Sequence, residues 1–148
     1  MRLERILFPT DFSEGSDEAM RYAAALAKDY QAILYVLYVI PEIIGANWYI
    51  PHPSVQEIYQ DLEVRGKAEM EKYVRRIQGP ERVEPLILRG TPYQRILEVA
   101  RDKKVDLIVM GTHGRTGVDH LIFGSTAERV VREAPCPVFT VRIPEHRR

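Results

Sequence analysis

Five short apolar runs alternate along the chain with four segments whose apolar residues recur at helical spacing. The runs are rich in Val, Ile and Leu without polar alternation, which is typical of strands covered on both faces. They lie at Ile6–Phe8, Ala32–Ile40, Val83–Leu88, Val105–Met110 and Val138–Val141. The helical segments lie at about residues 13–28, 55–78, 92–103 and 125–133.

The resulting β-α-β-α-β-α-β-α-β order predicts an α/β fold with parallel strands and right-handed helical crossovers. Because the runs are largely apolar and do not alternate, helices should cover both faces of the sheet. Glu42–Ser54 contains Gly45, Pro51 and Pro53 without a clear period and is predicted to be a loop. No repeat, low-complexity tract or linker divides the sequence, so we expect residues 1–148 to form one domain.

Two of the predicted helices begin with clear end signals. Ser13, followed by Ser16, offers a capping hydroxyl at the start of the first helix. After the third strand, Gly90 is predicted to make the turn, Thr91 to cap the helix and Pro92 to occupy its first position. Proline suits that position because its missing N–H would have no partner there.

Composition narrows the functional classes. Lys and Arg number 21 against 21 Asp and Glu, and this balance argues against a broad cationic field for nucleic acid or an anionic membrane. The one cysteine, Cys136, cannot form an internal disulfide, which fits a reducing compartment. No apolar run reaches the roughly 18–20 residues of a membrane span, and charges near the N-terminus oppose a signal peptide. We therefore expect a cytoplasmic protein with no nucleic-acid or membrane partner.

The most unusual strand end follows the fourth apolar run. Ligands of open α/β sheets bind beyond the carboxyl ends of strands, where the strand order reverses. Gly111, Gly114 and Gly117 would let the backbone approach a ligand closely. Gly124–Thr126 then opens a helix whose unpaired N–H groups and dipole favour an anion, and Arg115 can add a positive charge. These groups describe a phosphate cradle made mostly of backbone.

Two common nucleotide motifs do not describe this cradle. A Walker A loop would need Gly-Lys-Ser/Thr, which is missing from the segment. The dinucleotide fingerprint belongs after the first strand, where this chain has the turn Pro9–Ser13 instead.

The glycine spacing resembles the nucleotide-binding pattern of the universal stress protein family. It reads Gly111-x2-Gly114-x9-Gly124-Ser125, without a gap. Other blocks also resemble the family: ILFPTDFSEGSDEAM at the start, VDLIVMGTHGRTG, FGSTAERVV and the closing APCPVFTVR. The resemblance covers essentially the whole chain and is weakest from Glu42 to Gln78.

The resemblance implies an open, doubly wound, Rossmann-like parallel sheet ordered 3-2-1-4-5, with helices on both faces. It implies ATP, with Mg²⁺ as a candidate companion ion, in the crevice between strands one and four. Pro9 and Asp11 would lie at the adenosine end and the Val39 backbone would meet adenine. A homodimer is also implied, with Val138–Arg142 pairing across the two-fold axis. The implied ligands of ribose and phosphate are Gly111, Thr112, His113, Gly114, Arg115, Thr116 and Gly117, then Gly124, Ser125 and Thr126.

Simpler roles stand beside these. Asp11 could be only a turn or capping carboxylate, and Arg115 only solvated surface. The glycines could be turn and cap residues. His113 is a candidate base, but no nucleophile accompanies it in a recognisable arrangement, so a backbone or phosphate-proximal role is favoured. Cys136 is interpreted as a packing residue.

Three functions follow from the sequence. The first is a nucleotide-dependent regulatory protein of the stress-response type, which the full glycine pattern favours. The second is a slow ATPase or nucleotide hydrolase, since groups that orient ATP could also stabilise charge on its phosphates. The third is a nucleotide-independent interaction module that works through its dimer surface.

Overall fold

The five apolar runs of the sequence form the five strands of one parallel sheet. The computed structural model describes residues 1–42, 54–112 and 124–143. Its elements are β1 Arg5–Pro9, α1 Glu14–Tyr30, β2 Ile33–Pro41, α2 Ser54–Arg76, β3 Val83–Gly90, α3 Pro92–Asp102, β4 Leu107–Gly111, α4 Ser125–Glu133 and β5 Val138–Val141.

The strand order is β3-β2-β1-β4-β5, which confirms the order that the family resemblance implies. From β1 the chain builds outward through β2 to β3, and then returns to place β4 on the other side of β1. Leu7 of β1 therefore lies between Tyr35 of β2 and Ile108 of β4. The point at which the order reverses, between β1 and β4, is where sheets of this kind bind ligands.

Helices cover both faces of the sheet, which explains why the central strands β1, β2 and β4 are apolar on both sides. Successive residues of β1 point to opposite faces. Phe8 packs with Met20 of α1 and Met70 of α2 in one apolar cluster. Leu7 packs in a second cluster with residues of α3 and α4, such as Val130. Phe8, Leu7 and Val130 are completely buried.

The fourth strand begins two residues later than the sequence predicts. Val105 is buried, but it follows Lys104, whose φ of 51° turns the chain out of α3, and pairing starts only at Leu107. Asp106 makes the junction. Its carboxylate accepts the N–H groups of Glu4 and Arg5 at 2.8 and 3.0 Å. Val105 and Asp106, which the sequence assigns to the strand, therefore form the connection from α3, and Asp106 hydrogen-bonds to the start of β1.

The two edges of the sheet differ. Strand β3 carries Pro85, which cannot donate a backbone hydrogen bond and so blunts that edge. Strand β5 is short and has no proline inside it. Its Phe139 is 40% exposed and contacts the ring of Tyr22 in α1 at a centroid distance of 5.5 Å. The β5 edge is thus the one that remains suited to pairing with another strand.

No helix among the described residues is both long enough and apolar enough to cross a membrane.

The two predicted N-caps behave differently. The Ser13 hydroxyl accepts the N–H of Ser16 at 3.3 Å, as expected of a capping serine. Thr91 occupies the cap position of α3, but its side chain makes no capping hydrogen bond. Pro92 does occupy the first turn of that helix. The expectation that Thr91 caps through its hydroxyl is therefore wrong, and the fixed φ of proline is what favours the start of α3.

We predict that Ser13→Ala lowers the free energy of unfolding by about 1 kcal/mol, because an N–H of the first turn loses its acceptor. Thr91→Ala is the matched control and should change stability by less than about 0.5 kcal/mol. Urea unfolding of both variants measures the difference. Equal losses at the two positions would contradict this account of the caps.

Candidate functional site

The carboxyl ends of β1 and β4 lie side by side. Pro9 and Gly111 are their last residues, and each is followed by a buried threonine: Thr10 is 6% exposed and Thr112 is 2% exposed. The Thr10 N–H donates to the Leu37 carbonyl at 2.8 Å. The Thr112 N–H donates to the Val141 carbonyl at 3.0 Å. Both hydrogen bonds extend the sheet one residue past the strands, so this edge has a fixed geometry.

The start of helix α4 lies next to the end of β4 in space, although the two are separated along the chain. The N–H of Gly124 donates to the Thr112 carbonyl at 2.6 Å, and the Gly124 carbonyl accepts the N–H of Glu128 at 3.0 Å. This hydrogen bond thus places Gly124 beside Thr112, the residue that follows Gly111 at the end of β4. The exposed Ser125 and the half-buried Thr126 form the first turn, whose N–H groups have no acceptor within the helix. The positive end of the helix dipole therefore stands at the strand-order reversal.

Asp11 is held at the same edge by its own loop. Its Oδ1 accepts the N–H of Ser13 at 3.0 Å and the hydroxyl of Ser16 at 2.9 Å. The Asp11 N–H donates to the Ser16 hydroxyl at 3.2 Å. Asp11 therefore organises the turn and the start of α1. Whether it has only this role stays open at this point, because a carboxylate can accept about four hydrogen bonds.

Ser16 has a structural role beside Asp11 that the sequence understates. The sequence predicts only that Ser16 lies near the start of a helix. In the structure the residue is 6% exposed, and its hydroxyl donates to the Asp11 carboxylate and accepts the Asp11 N–H. The aspartate-to-serine spacing of five residues across a turn was the available signal.

Phe12 adopts a conformation that the sequence does not predict. Its φ is 65°, in the left-handed region that non-glycine residues seldom occupy. Its N–H donates to the Thr10 hydroxyl at 3.0 Å. Its ring packs against Tyr38 of β2 and Tyr73 of α2, with centroids 4.6 and 5.4 Å away. An aromatic residue inside an otherwise polar turn was the only sign of this arrangement.

Val39 presents its backbone, not its side chain, to the crevice. The ladder between β1 and β2 ends where Pro9 pairs with Leu37, while β2 continues along β3. Val39 lies two residues beyond Leu37, so its N–H and C=O have the same direction as those of Leu37. At that level β1 has ended. The Val39 side chain is 7% exposed and packs in the cluster under α3 and α4.

Five predicted ligands lie outside the described residues: His113, Gly114, Arg115, Thr116 and Gly117. Their placement around ribose and phosphates stays a prediction. The structure brings the other eight to the carboxyl end of the sheet: Pro9, Asp11, Val39, Gly111, Thr112, Gly124, Ser125 and Thr126.

Arg129 connects α3 and α4 through a contact that the sequence does not predict. Its guanidinium lies 4.2 Å from the ring centroid of Tyr93 and donates to the Tyr93 hydroxyl at 3.0 Å. It also donates to Glu133 at 3.0 Å, and that hydrogen bond raises the pKa of Arg129. The pair joins the start of α3 to α4.

Neither metal nor thiol chemistry is evident among the described residues. They contain no group of three His, Cys, Asp or Glu side chains placed to hold a metal ion. Burial raises the pKa of the Cys136 thiol, which packs against the cluster under α3 and α4. This agrees with a packing role for Cys136.

Comparisons by family model, by sequence and by structure all find universal stress proteins similar to this chain. The model of the universal stress protein family matches residues 2–142. The chain is 36% identical over 146 residues to universal stress protein MJ0531 of Methanocaldococcus jannaschii, covering 96% of this chain and 84% of that protein. The solved structure of MJ0577, from the same organism, has a TM-score of 0.86 and 28% identity, covering 98% of this chain and 99% of that one.

Two further solved structures share the fold at lower identity. A universal stress protein in complex with cAMP has a TM-score of 0.62 at 24% identity, covering 95% of this chain and 98% of that one. A family protein from Arabidopsis thaliana, with AMP bound, has a TM-score of 0.68 at 16% identity, covering 97% of this chain and 94% of that one.

We predict that Asp11→Ala lowers the free energy of unfolding by about 1–3 kcal/mol, because a buried serine hydroxyl and a backbone N–H lose their acceptor. Asp11→Asn keeps a carbonyl oxygen at that place and should lose less than half as much. Urea unfolding of both variants tests this. An alanine variant as stable as the wild type would show that the turn does not depend on Asp11.

Proposed function

Because this chain belongs to the universal stress protein family, we propose that it is an ATP-binding regulatory protein of the stress-response type. The nucleotide lies at the carboxyl edge of the sheet, between β1 and β4. The observation that carries the proposal is the hydrogen bond from Gly124 to Thr112, which fixes the start of α4 at the strand-order reversal. A helix N-terminus in that place offers several N–H donors to an anion.

The phosphates are assigned to the start of α4. Gly124 has no side chain to fill the space above the helix, and the exposed Ser125 adds a hydroxyl donor. Backbone N–H groups and a helix dipole supply this attraction without cationic side chains. A net charge of zero is therefore compatible with a nucleotide ligand, although it disfavours a polyanion such as nucleic acid.

The adenosine is assigned to Asp11 and Val39. A carboxylate is a strong acceptor for ribose hydroxyls, and Asp11 lies at the right edge with its position fixed by Ser13 and Ser16. Adenine carries an amino donor beside a ring-nitrogen acceptor. The N–H and C=O of Val39, which continue past the end of β1, match such a pair.

ATP is preferred over other adenine nucleotides because the glycine pattern is complete. Two family members have cAMP or AMP bound, which supports an adenine ligand in general. The choice of ATP depends on Gly111-x2-Gly114-x9-Gly124-Ser125, which resembles the pattern of ATP-binding members. Any Mg²⁺ would accompany the phosphates. We also assign the protein to the cytoplasm. Regulation would arise because the nucleotide contacts both ends of the segment between Thr112 and Gly124, so that its binding changes the surface that this segment offers to a partner.

The first test is equilibrium titration with ATP, in the presence and absence of Mg²⁺. We expect the wild type to bind in the micromolar range or tighter. The Gly114→Val, Gly124→Val double variant should bind at least tenfold weaker, a loss of about 1.4 kcal/mol. Valine at 124 should not strain the backbone, because Gly124 has an extended conformation with φ −72° and ψ 167°.

Thr126→Val is the matched control, since it keeps the backbone N–H at a position where many members of the family carry valine. It should bind ATP within about threefold of the wild type, or about 0.7 kcal/mol. If wild type and double variant bind adenine nucleotides equally poorly, the proposed function is wrong. A nucleotide-independent interaction module would then be the better account.

We also propose a homodimer in which Val138–Arg142 of two copies pair across a two-fold axis. Ile108 donates to the Pro137 carbonyl and Thr112 to the Val141 carbonyl, so these residues of β5 face β4. By alternation the Thr140 N–H faces the outer edge. The exposed Phe139 lies along the same edge and would gain cover from a partner.

Thr140→Pro removes the outward N–H and should convert the dimer to a monomer in analytical ultracentrifugation. Thr140→Val keeps that N–H and the side-chain shape, and should leave the dimer unchanged. The proline should be tolerated in the monomer because edge strands accept it. A monomeric wild type, or a dimeric Thr140→Pro variant, would count against pairing through β5.

A further inference from the structure

The left-handed conformation of Phe12 stands apart from others in the molecule. Among the described residues, Gln31 and Lys104 are the other non-glycine residues with positive φ, and both lie where a helix ends. Helix ends commonly adopt this conformation. Phe12 instead precedes a helix and lies between the Asp11 turn and the Ser13 cap. A bulky residue there is strained, so the surrounding structure must hold it.

Two aromatic rings supply that support. Tyr73 is 3% exposed, and its ring meets the Phe12 ring edge to face at 64°. Tyr38 lies closer, with a centroid distance of 4.6 Å and an interplanar angle of 40°. Tilted and edge-on pairs at these distances are favourable arrangements of aromatic rings. The side chain at position 12 is therefore anchored to both β2 and α2.

Phe12 lies in the chain between Asp11 and Ser13, and Ser13 is one of the residues that donate to the Asp11 carboxylate. One donor to Oδ1 is the N–H of Ser13, the residue directly after Phe12. The Phe12 N–H is itself fixed by the Thr10 hydroxyl at 3.0 Å. The backbone on both sides of Asp11 is thus positioned through the Phe12 conformation. A change in the ring packing would rotate the turn and move the carboxylate.

We infer that Phe12 is a positioning residue of the nucleotide site, whose ring packing against Tyr38 and Tyr73 sets the selectivity for ribose over deoxyribose nucleotides. This inference rests on the proposed function, in which Asp11 binds ribose hydroxyls. Phe12 itself touches no nucleotide. It acts by keeping the carboxylate where only a ribose that carries its hydroxyls gains the full hydrogen bond.

The test compares binding of ATP, 2′-deoxy-ATP and 3′-deoxy-ATP to the full chain. The wild type should prefer ATP over at least one deoxy analogue by roughly tenfold, the usual effect of a hydrogen bond to a charged group. Phe12→Ala should reduce that preference to within about threefold by weakening ATP alone. Phe12→Gly should do the same, although glycine adopts the left-handed conformation without strain.

Phe12→Leu and Phe8→Leu form a matched pair that separates positioning from stability. Phe8 is completely buried and stacks on the same Tyr73 ring at 6.2 Å, but it lies inside β1. Phe8→Leu should lower the unfolding midpoint and keep the wild-type preference. Phe12→Leu, which retains an apolar side chain and so favours a folded protein, should lose at least half of the preference.

The outcomes distinguish the inference from the function beneath it. If the Phe12 variants keep the wild-type preference, or weaken all three nucleotides equally, the inference is wrong and nucleotide binding stands. A glycine variant that keeps the preference would also overturn it, because backbone conformation alone would then suffice. If the wild type binds ATP without preferring it over either analogue, the ribose selectivity is refuted. If the wild type binds none of the three, the proposed function itself fails.

Discussion

The site depends on the hydrogen bond between the Gly124 N–H and the Thr112 carbonyl. At 2.6 Å it joins the end of β4 to the start of α4, and the Thr112 N–H continues the connection to Val141 of β5. Two strands and a helix are therefore fixed to one buried residue. Val130 and the Arg129–Tyr93 contact hold the body of α4 against the sheet and α3, and this hydrogen bond sets where its N-cap residue lies. With it, the positive end of α4 meets the point where the strand order reverses.

Aspartates hold the backbone at both ends of the parallel strands, Asp106 at the amino end and Asp11 at the carboxyl end. At the amino end, Asp106 satisfies the first N–H groups of the chain's opening strand, and the result is a closed structural junction. At the carboxyl end, Asp11 makes comparable hydrogen bonds but does so beside an open strand end. The left-handed Phe12 adds strain there, which a purely structural turn does not require. The carboxyl end is therefore held in place by the hydrogen bonds of Asp11 and the ring packing of Phe12.

Much of this fold could be predicted because it follows from local patterns. Continuous apolar runs such as Ala32–Ile40 identify doubly covered strands, and the alternation with helices dictates parallel pairing. The helix start at Ser13 was equally readable, since its side chain acts on its own neighbours. The start of β4 was not, because the buried Val105 resembles a strand residue while the Lys104 turn and the Asp106 contacts decide the boundary.

The sequence proposes which residues form the candidate site, but it does not show how the fold brings them together. The glycine spacing pointed to Gly111 and Gly124, but the contact that joins them runs through the carbonyl of Thr112, and a backbone acceptor leaves no trace in a sequence. Phe12 escaped prediction for a related reason. Its conformation is maintained by rings that are 26 and 61 residues away along the chain, at Tyr38 and Tyr73.

The most direct test of nucleotide binding at this edge is a two-dimensional amide NMR titration with ATP. The account predicts that the largest shift changes occur at Asp11, Val39, Thr112 and Gly124–Thr126, while amides along β3 change little. Changes concentrated at β3 and the middle of α2, or no changes up to millimolar ATP, would contradict the placement of a nucleotide between β1 and β4.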